Sequence, residues 1–146
     1  MRTNRSLGRF AAGMLLLVLL ACASPISFAQ QKPEQLAQAS SEAWLGLVDS
    51  GKYADSWQEA SSLFKAAVTK EKWEDMLRPV RSPLGKVLTR KLKSATYTKT
   101  LPGAPDGEYV VVQFETSFEH KQAATETVTP TLDKDGKWRV SGYFIK

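Results

Sequence analysis

ETVTPTLDKDGKWRVSGYFIK, residues 126–146, is the stretch on which the fold turns. Two runs rich in Val, Thr and aromatic residues flank Asp133-Lys134-Asp135-Gly136, so the segment reads as a β-hairpin. With Gly136 in the left-handed position of a three-residue loop, Asp133 faces Lys137. Leu132 then stands beside Trp138, Pro130 beside Val140, Val128 beside Gly142 and Glu126 beside Phe144. This register sends Trp138, Val140 and Phe144 to one face, and Arg139, Ser141 and Tyr143 to the other. Pro130 has no N–H to give to a ladder, so pairing is expected to break there and the sheet to bend.

The preceding hairpin extends the pattern. Setting Phe118 opposite Ala124 places Phe114 beside Val128 and Val110 beside Leu132. Val110, Val112, Phe114 and Phe118 then share the face of Val128, Leu132, Trp138, Val140 and Phe144. A one-residue slip sets that apolar group against Thr125, Thr127, Thr129 and Thr131, and is rejected. From Val87 onward Val, Thr and Tyr dominate, with turn signals at 101–107, near 119–123 and at 133–136. Four meandering strands are expected over about 87–99, 108–118, 124–132 and 137–145.

Upstream the period changes to that of helices. Residues 33–48 place Leu36, Ala39, Ala43 and Leu47 on one stripe with Trp44 and Val48 beside it, Pro33 in the first turn and Gly51 as a stop. A second helical region shows Trp57, Ala60, Leu63, Phe64, Ala67 and Val68 on its apolar face. Thr69 caps a third helix carrying Trp73, Met76 and Leu77 and ending near Pro79, with residues 78–85 as a connector. Helices over about 33–79, then strands, predict an α+β domain: N-terminal helices packed on a curved four-stranded antiparallel meander sheet.

The first 29 residues stand apart. Arg2, Arg5 and Arg9 precede an apolar run from Phe10 to Ala21, and Ser27-Phe28-Ala29 supplies small residues at a signal-peptidase site. The run is shorter than the roughly 20 residues a membrane-spanning helix needs. Residues 1–29 are therefore expected to be a signal peptide and 30–146 a single exported domain, periplasmic or secreted. A second reading stands beside this one: Leu19-Leu20-Ala21-Cys22 resembles a lipobox, with lipidation of Cys22 anchoring the chain to the envelope. The helix-breaking Pro25 and the small residues up to Ala29 favour cleavage. Membrane contact is expected only with Cys22 lipidated.

Export narrows the chemistry. Cys22 is the only cysteine, so cleavage after Ala29 leaves no thiol or disulfide. Removing the three leader arginines from 20 basic residues leaves 17 against 15 acids, a net charge of about +2 in place of +5. No nucleic-acid partner is expected from that charge in that compartment. His120, the only histidine, falls in a hairpin loop, so a metal cluster or His-based triad lacks parts. The Asp133–Gly136 turn begins like a calcium loop but has no closing Glu, and no glycine-rich phosphate loop is present. No metal, cofactor or catalytic set is expected.

What remains are single residues. Glu126 is the one ionisable group on the apolar face, flanked by Thr116 and Phe144. Desolvation would raise its pKa above the usual value of about 4.3 unless a cation or donor meets it, which makes it the sole and weak catalytic candidate. Between Asp75 and Asp106 there is no acid, while seven bases fall there. Lys91, Lys93 and Lys99 read as protection of an edge strand. Arg78, Arg81 and Arg90 carry guanidinium forks suited to carboxylates or phosphates, either a ligand's or that of Glu126. Arg139 and Tyr143 are ligand-binding candidates on the opposite face, and Phe144 is one beside Glu126.

Several stretches in order carry a resemblance: Ala43-Trp44-Leu45 with Asp49, Gly51-Lys52-Tyr53, Ser56-Trp57, Arg81-Ser82-Pro83-Leu84-Gly85 with Arg90, and Leu101-Pro102-Gly103 through Asp106-Gly107-Glu108-Tyr109. Phe118, Glu126 and Trp138-Arg139-Val140-Ser141-Gly142-Tyr143 complete the set. The chain resembles domain-of-unknown-function family 4019, small exported bacterial proteins. The resemblance implies a secreted or periplasmic domain without an assigned activity. The order of helices and sheet also looks like the nuclear-transport-factor-2-like and cystatin-like folds, which host enzymes and binding modules alike. The expected function is a non-enzymatic envelope module binding a small ligand or an envelope protein. The alternatives are an isomerase-like enzyme using Glu126 in an apolar pocket, and a purely structural or interaction domain.

Overall fold

Pro33 opens the first helix of the computed structural model, which describes residues 31–146; the cleavage after Ala29 and the lipidation of Cys22 fall outside the described residues. Helix α1 spans Pro33–Asp49 and buries Ala37, Ser41, Trp44, Leu45 and Val48. That face lies about one residue round from the expected stripe, and Leu36 is exposed. Ser41 can sit in the core because its hydroxyl donates to the Ala37 carbonyl at 2.9 Å, which pairs its own polar atom.

The second helical region is two short helices, α2 (Tyr53–Gln58) and α3 (Ser62–Ala67). Ser61 makes the break: its hydroxyl caps α3 by accepting from the Phe64 N–H at 3.1 Å. Its own N–H donates to the Val140 carbonyl of the sheet at 2.8 Å. Helix α4 (Lys70–Arg81) starts at the expected cap, Thr69, which accepts from the Lys72 N–H. It does not end at Pro79. The helix runs through the proline to Arg81, and a short 3-10 turn over Ser82–Leu84 follows. An interior proline costs about 3 kcal/mol; the buried Arg81 side chain, fixed by partners on other elements, holds the last turn against that cost.

The strands are β1 (Val87–Thr98), β2 (Tyr109–Phe118), β3 (Lys121–Leu132) and β4 (Trp138–Ile145), antiparallel and ordered β1-β2-β3-β4. The fold is therefore α+β, helices first and an open four-stranded sheet after. The last hairpin forms as its sequence predicts. Asp133 N–H donates to the Lys137 carbonyl and Gly136, at φ 77°, donates to the Asp133 carbonyl, both at 2.9 Å. Leu132 opposes Trp138 and Pro130 opposes Val140.

Beyond Pro130 the register corrects the sequence reading. Thr129 opposes Gly142, so Ser141 is an extra residue on β4. One extra residue turns every later side chain to the other face. Tyr143, expected outward, lies opposite Val128 on the core side. Phe144, expected inward beside Glu126, opposes Thr127 and is 61% exposed. The β2–β3 pairing is also displaced, by two residues from Tyr109 to Thr116, so that Phe114 opposes Glu126; an irregularity before the tighter turn then sets Phe118 opposite Lys121. An even shift leaves the faces unchanged, and Val110, Val112, Phe114, Phe118, Val128 and Val140 are all buried.

Helix α1 lies across all four strands, and its Trp44 and Leu45 meet the sheet in a core that also takes in Tyr53, Trp73 and Leu77. The indole N–H groups of Trp44 and Trp73 both end on Ser56, one on its carbonyl at 2.8 Å and one on its hydroxyl at 3.0 Å. Leu132 and Trp138 sit at the half-buried margin.

Candidate functional site

Among the described residues, one acid lies on the buried sheet face. Glu126 on β3 is wholly buried, and three donors from three other strands reach it. Thr116 of β2 gives its hydroxyl to Oε1 at 2.6 Å, Arg90 of β1 gives Nε to the same oxygen at 2.8 Å, and Tyr143 of β4 gives its phenol to Oε2. The bulge at Ser141 is what aims Tyr143 there. A carboxylate accepting three such bonds is satisfied by the protein itself.

The network continues into the helices. The remaining nitrogens of Arg90 fork onto Asp49, the last residue of α1, with Nη1 at 2.7 Å from Oδ2 and Nη2 at 3.1 Å from Oδ1. Asp49 Oδ1 also accepts from Arg81 Nη2 at 3.0 Å. Arg81, 3% exposed, gives Nη1 to the Gly85 carbonyl at 2.6 Å and stacks over the Phe118 ring at 4.7 Å. Gly85 holds that carbonyl with φ 73°, where a Cβ would strike Glu119 Oε2 at 2.5 Å. The chain Glu126–Arg90–Asp49–Arg81 thus ties the sheet to both ends of the helical layer. Burial works against the Arg90 charge, but the hydrogen bonds to Asp49 and Glu126 outweigh it and raise its pKa above the ordinary value.

Tyr143 offers a direct readout of this network. Burial, then the negative charge of Glu126, pushes the phenol well above its ordinary value of 10.0. A folded-state pKa above the unfolded one means its contribution to stability is whole below about pH 10 and is lost as pH rises further. In alkaline titration, comparison with Tyr143→Phe is expected to show one phenolate appearing only as ellipticity is lost. A Tyr143 phenolate forming in the folded protein would contradict the assignment.

The other candidates lie elsewhere. Arg78 projects from α4 with 63% of its side chain exposed, over the Tyr53 ring at 5.5 Å and 4.0 Å from Glu74. Arg139 is held by the last hairpin, at 3.2 Å from Asp133 and in two 2.8 Å bonds to Asp135. Those bonds hold the Asp135 carboxyl at about 2, below its usual 3.8. The four expected arginines therefore divide: Arg81 and Arg90 join the Glu126 network, and Arg78 and Arg139 do not.

Sequence reading missed Asp49, set Tyr143 on the wrong face, and missed a surface beside the network. Asp49 had a signal: an acid in the last turn of a helix opposes the dipole, so a tertiary partner is implied. Thr116 was expected beside Glu126, and its hydroxyl bonds that carboxylate. The surface is an apolar groove of about 250 Å³ between α4 and β4, formed by Trp73, Met76 and Val80 against Tyr143, Phe144 and Ile145. Met76, Val80 and Phe144 are each more than half exposed. Among the described residues, no group of three or more His, Cys, Asp or Glu is placed to hold a metal ion.

Compared with known proteins, residues 40–143 match the family described as "Protein of unknown function (DUF4019)". No curated protein matches the chain.

Proposed function

The chain belongs to the DUF4019 family of proteins of unknown function, and on that premise we propose an exported, non-enzymatic binding module of the bacterial envelope that works through the α4–β4 groove. The observation that carries this is the division of labour between two sites. The one buried acid is saturated by Thr116, Arg90 and Tyr143, whereas Met76, Val80 and Phe144 present apolar surface to solvent around a recess. Exposed apolar surface of this kind marks contact sites. At about 250 Å³ the recess is below the roughly 300–1,000 Å³ of drug-sized pockets. It suits one or two apolar side chains or a short acyl segment.

Export is part of the same proposal, supported by the Arg2–Arg9 n-region, the apolar run and Ser27-Phe28-Ala29. Intact mass of the protein recovered from its native host distinguishes cleavage after Ala29 from a lipid adduct on Cys22. The likeness to nuclear-transport-factor-2-like and cystatin-like folds is likewise a proposal, resting on helices followed by an antiparallel sheet.

The binding test uses decanoate and 1-anilinonaphthalene-8-sulfonate as probes. Their addition is expected to shift the methyl resonances of Met76 and Val80. Met76→Glu, at an exposed position, is expected to weaken binding about tenfold, since a lost apolar contact of ~1.4 kcal/mol is a factor of ten. Unmoved Met76 and Val80 resonances at millimolar probe would overturn the reading.

A further inference from the structure

The groove runs along a strand edge that is only half covered. Ser40 gives its hydroxyl to the Trp138 carbonyl and Ser61 its N–H to the Val140 carbonyl, both at 2.8 Å, which closes the first half of β4. In the second half, Thr125 and Lys146 exchange both backbone hydrogen bonds, at 2.9 and 3.0 Å. Bonded and non-bonded pairs alternate along an antiparallel ladder. Gly142 and Phe144 therefore turn their backbone groups toward β3, and Tyr143 and Ile145 turn theirs away. Among the described residues, no backbone group of another element meets the N–H or C=O of Tyr143 or Ile145.

The two edges of the sheet differ in charge. β1 exposes Lys91 and Lys93, which repel another strand. Ser141 to Ile145 carries no charge. We propose that this free half-edge pairs with the same half-edge of a second copy of the chain, antiparallel about a twofold axis at Phe144. The inference rests on the reading of the α4–β4 surface as the binding surface, and it names the occupant.

The geometry is self-complementary. About that axis each Tyr143 faces the Ile145 of the second copy, and these are the residues whose backbone groups point outward, giving four hydrogen bonds. Phe144 faces its counterpart as a non-bonded pair, where opposed Cα atoms approach to about 4.5 Å and side chains meet. Lys146 falls opposite Gly142 of the second copy, so the lysines do not meet each other. An axis perpendicular to the sheet keeps both helical layers on one side, with Met76 and Val80 of each copy beside the junction.

So short a seam predicts a weak dimer, with a dissociation constant of about 1 μM to 1 mM. Sedimentation equilibrium of the wild-type protein across that range is expected to show a monomer–dimer equilibrium. Amide exchange at Tyr143 and Ile145 should slow about tenfold from the dilute to the concentrated end. Ile145→Pro removes an N–H that β3 does not use and is expected to leave a folded monomer. Phe144→Asp opposes two carboxylates and is expected to weaken association at least tenfold. A wild-type monomer at about 1 mM, or a dimer indifferent to both substitutions, overturns the proposal. If that monomer still shows probe-shifted Met76 and Val80 resonances, only self-pairing falls; if it does not, the groove reading falls too. Should both variants unfold, the wild-type amide exchange decides.

Discussion

Replacing Glu126 with Ala is expected to destabilise the domain by about 3–5 kcal/mol, with a fall in melting temperature on the order of 15 °C. The carboxylate is wholly buried and receives bonds from β1, β2 and β4, so its removal leaves a cation and two hydroxyls without their acceptor. The loss comes from those orphaned groups, and that makes a second outcome testable. Removing both charges with Glu126→Met and Arg90→Met together is expected to recover part of the loss, because buried pairs replaced by apolar groups are often near neutral. Chemical denaturation of the wild type, the two single variants and the double variant measures the coupling, expected at about 1–3 kcal/mol. Additive losses would show that Arg90 and Glu126 do not depend on each other.

Asp49→Ala is expected to cost about 3 kcal/mol, although the residue ends a helix where an acid is locally unfavourable. By helix propensity and dipole alone, the substitution would stabilise α1 by a few tenths of a kcal/mol. The difference in sign is what makes the prediction sharp. Asp49 takes bonds from both Arg90 and Arg81. Without it Arg81, 3% exposed, keeps only the Gly85 carbonyl, and its Nε already has no partner. Urea unfolding of Asp49→Ala and Asp49→Asn separates geometry from charge: Asn is expected to recover less than half of the loss. A stabilising Asp49→Ala would mean that the network adds nothing to the fold.

Much of this architecture could be read from the sequence because its signals are local. The Asp135-Gly136 turn fixes one hairpin whatever surrounds it, and Thr69 caps α4 from its own side chain. The apolar face of β2 survives a two-residue error in register because side chains alternate with a period of two. The bulge at Ser141 was not readable. Pro130 announces a break in pairing, but not which strand takes up the extra residue, and that choice exchanges Tyr143 with Phe144. The same limit hid Tyr143 as a partner of Glu126 and made Phe144 look like core. Pro79 misled for the opposite reason: a local penalty was outweighed by Arg81 and its distant partners.

Glu126 stood out because an acid on an apolar strand face needs explaining, and Arg90 because it lies in a segment without acids. Their meeting through Asp49 depends on α1 crossing the sheet, which no short-range pattern specifies. The α4–β4 groove is hidden likewise, since Met76 and Phe144 are far apart in sequence and each resembles a core residue alone.

If stability and binding reside in different residues, the Glu126 network and the α4–β4 edge, single substitutions separate them. Decanoate titration followed at the Val80 methyls, with thermal unfolding of the same samples, tests this separation in Glu126→Gln and Phe144→Asp. Lowered stability with retained binding is expected for Glu126→Gln, and unchanged stability with binding weakened about tenfold for Phe144→Asp. Loss of binding in a folded Glu126→Gln, with Phe144→Asp binding as the wild type does, would contradict that separation.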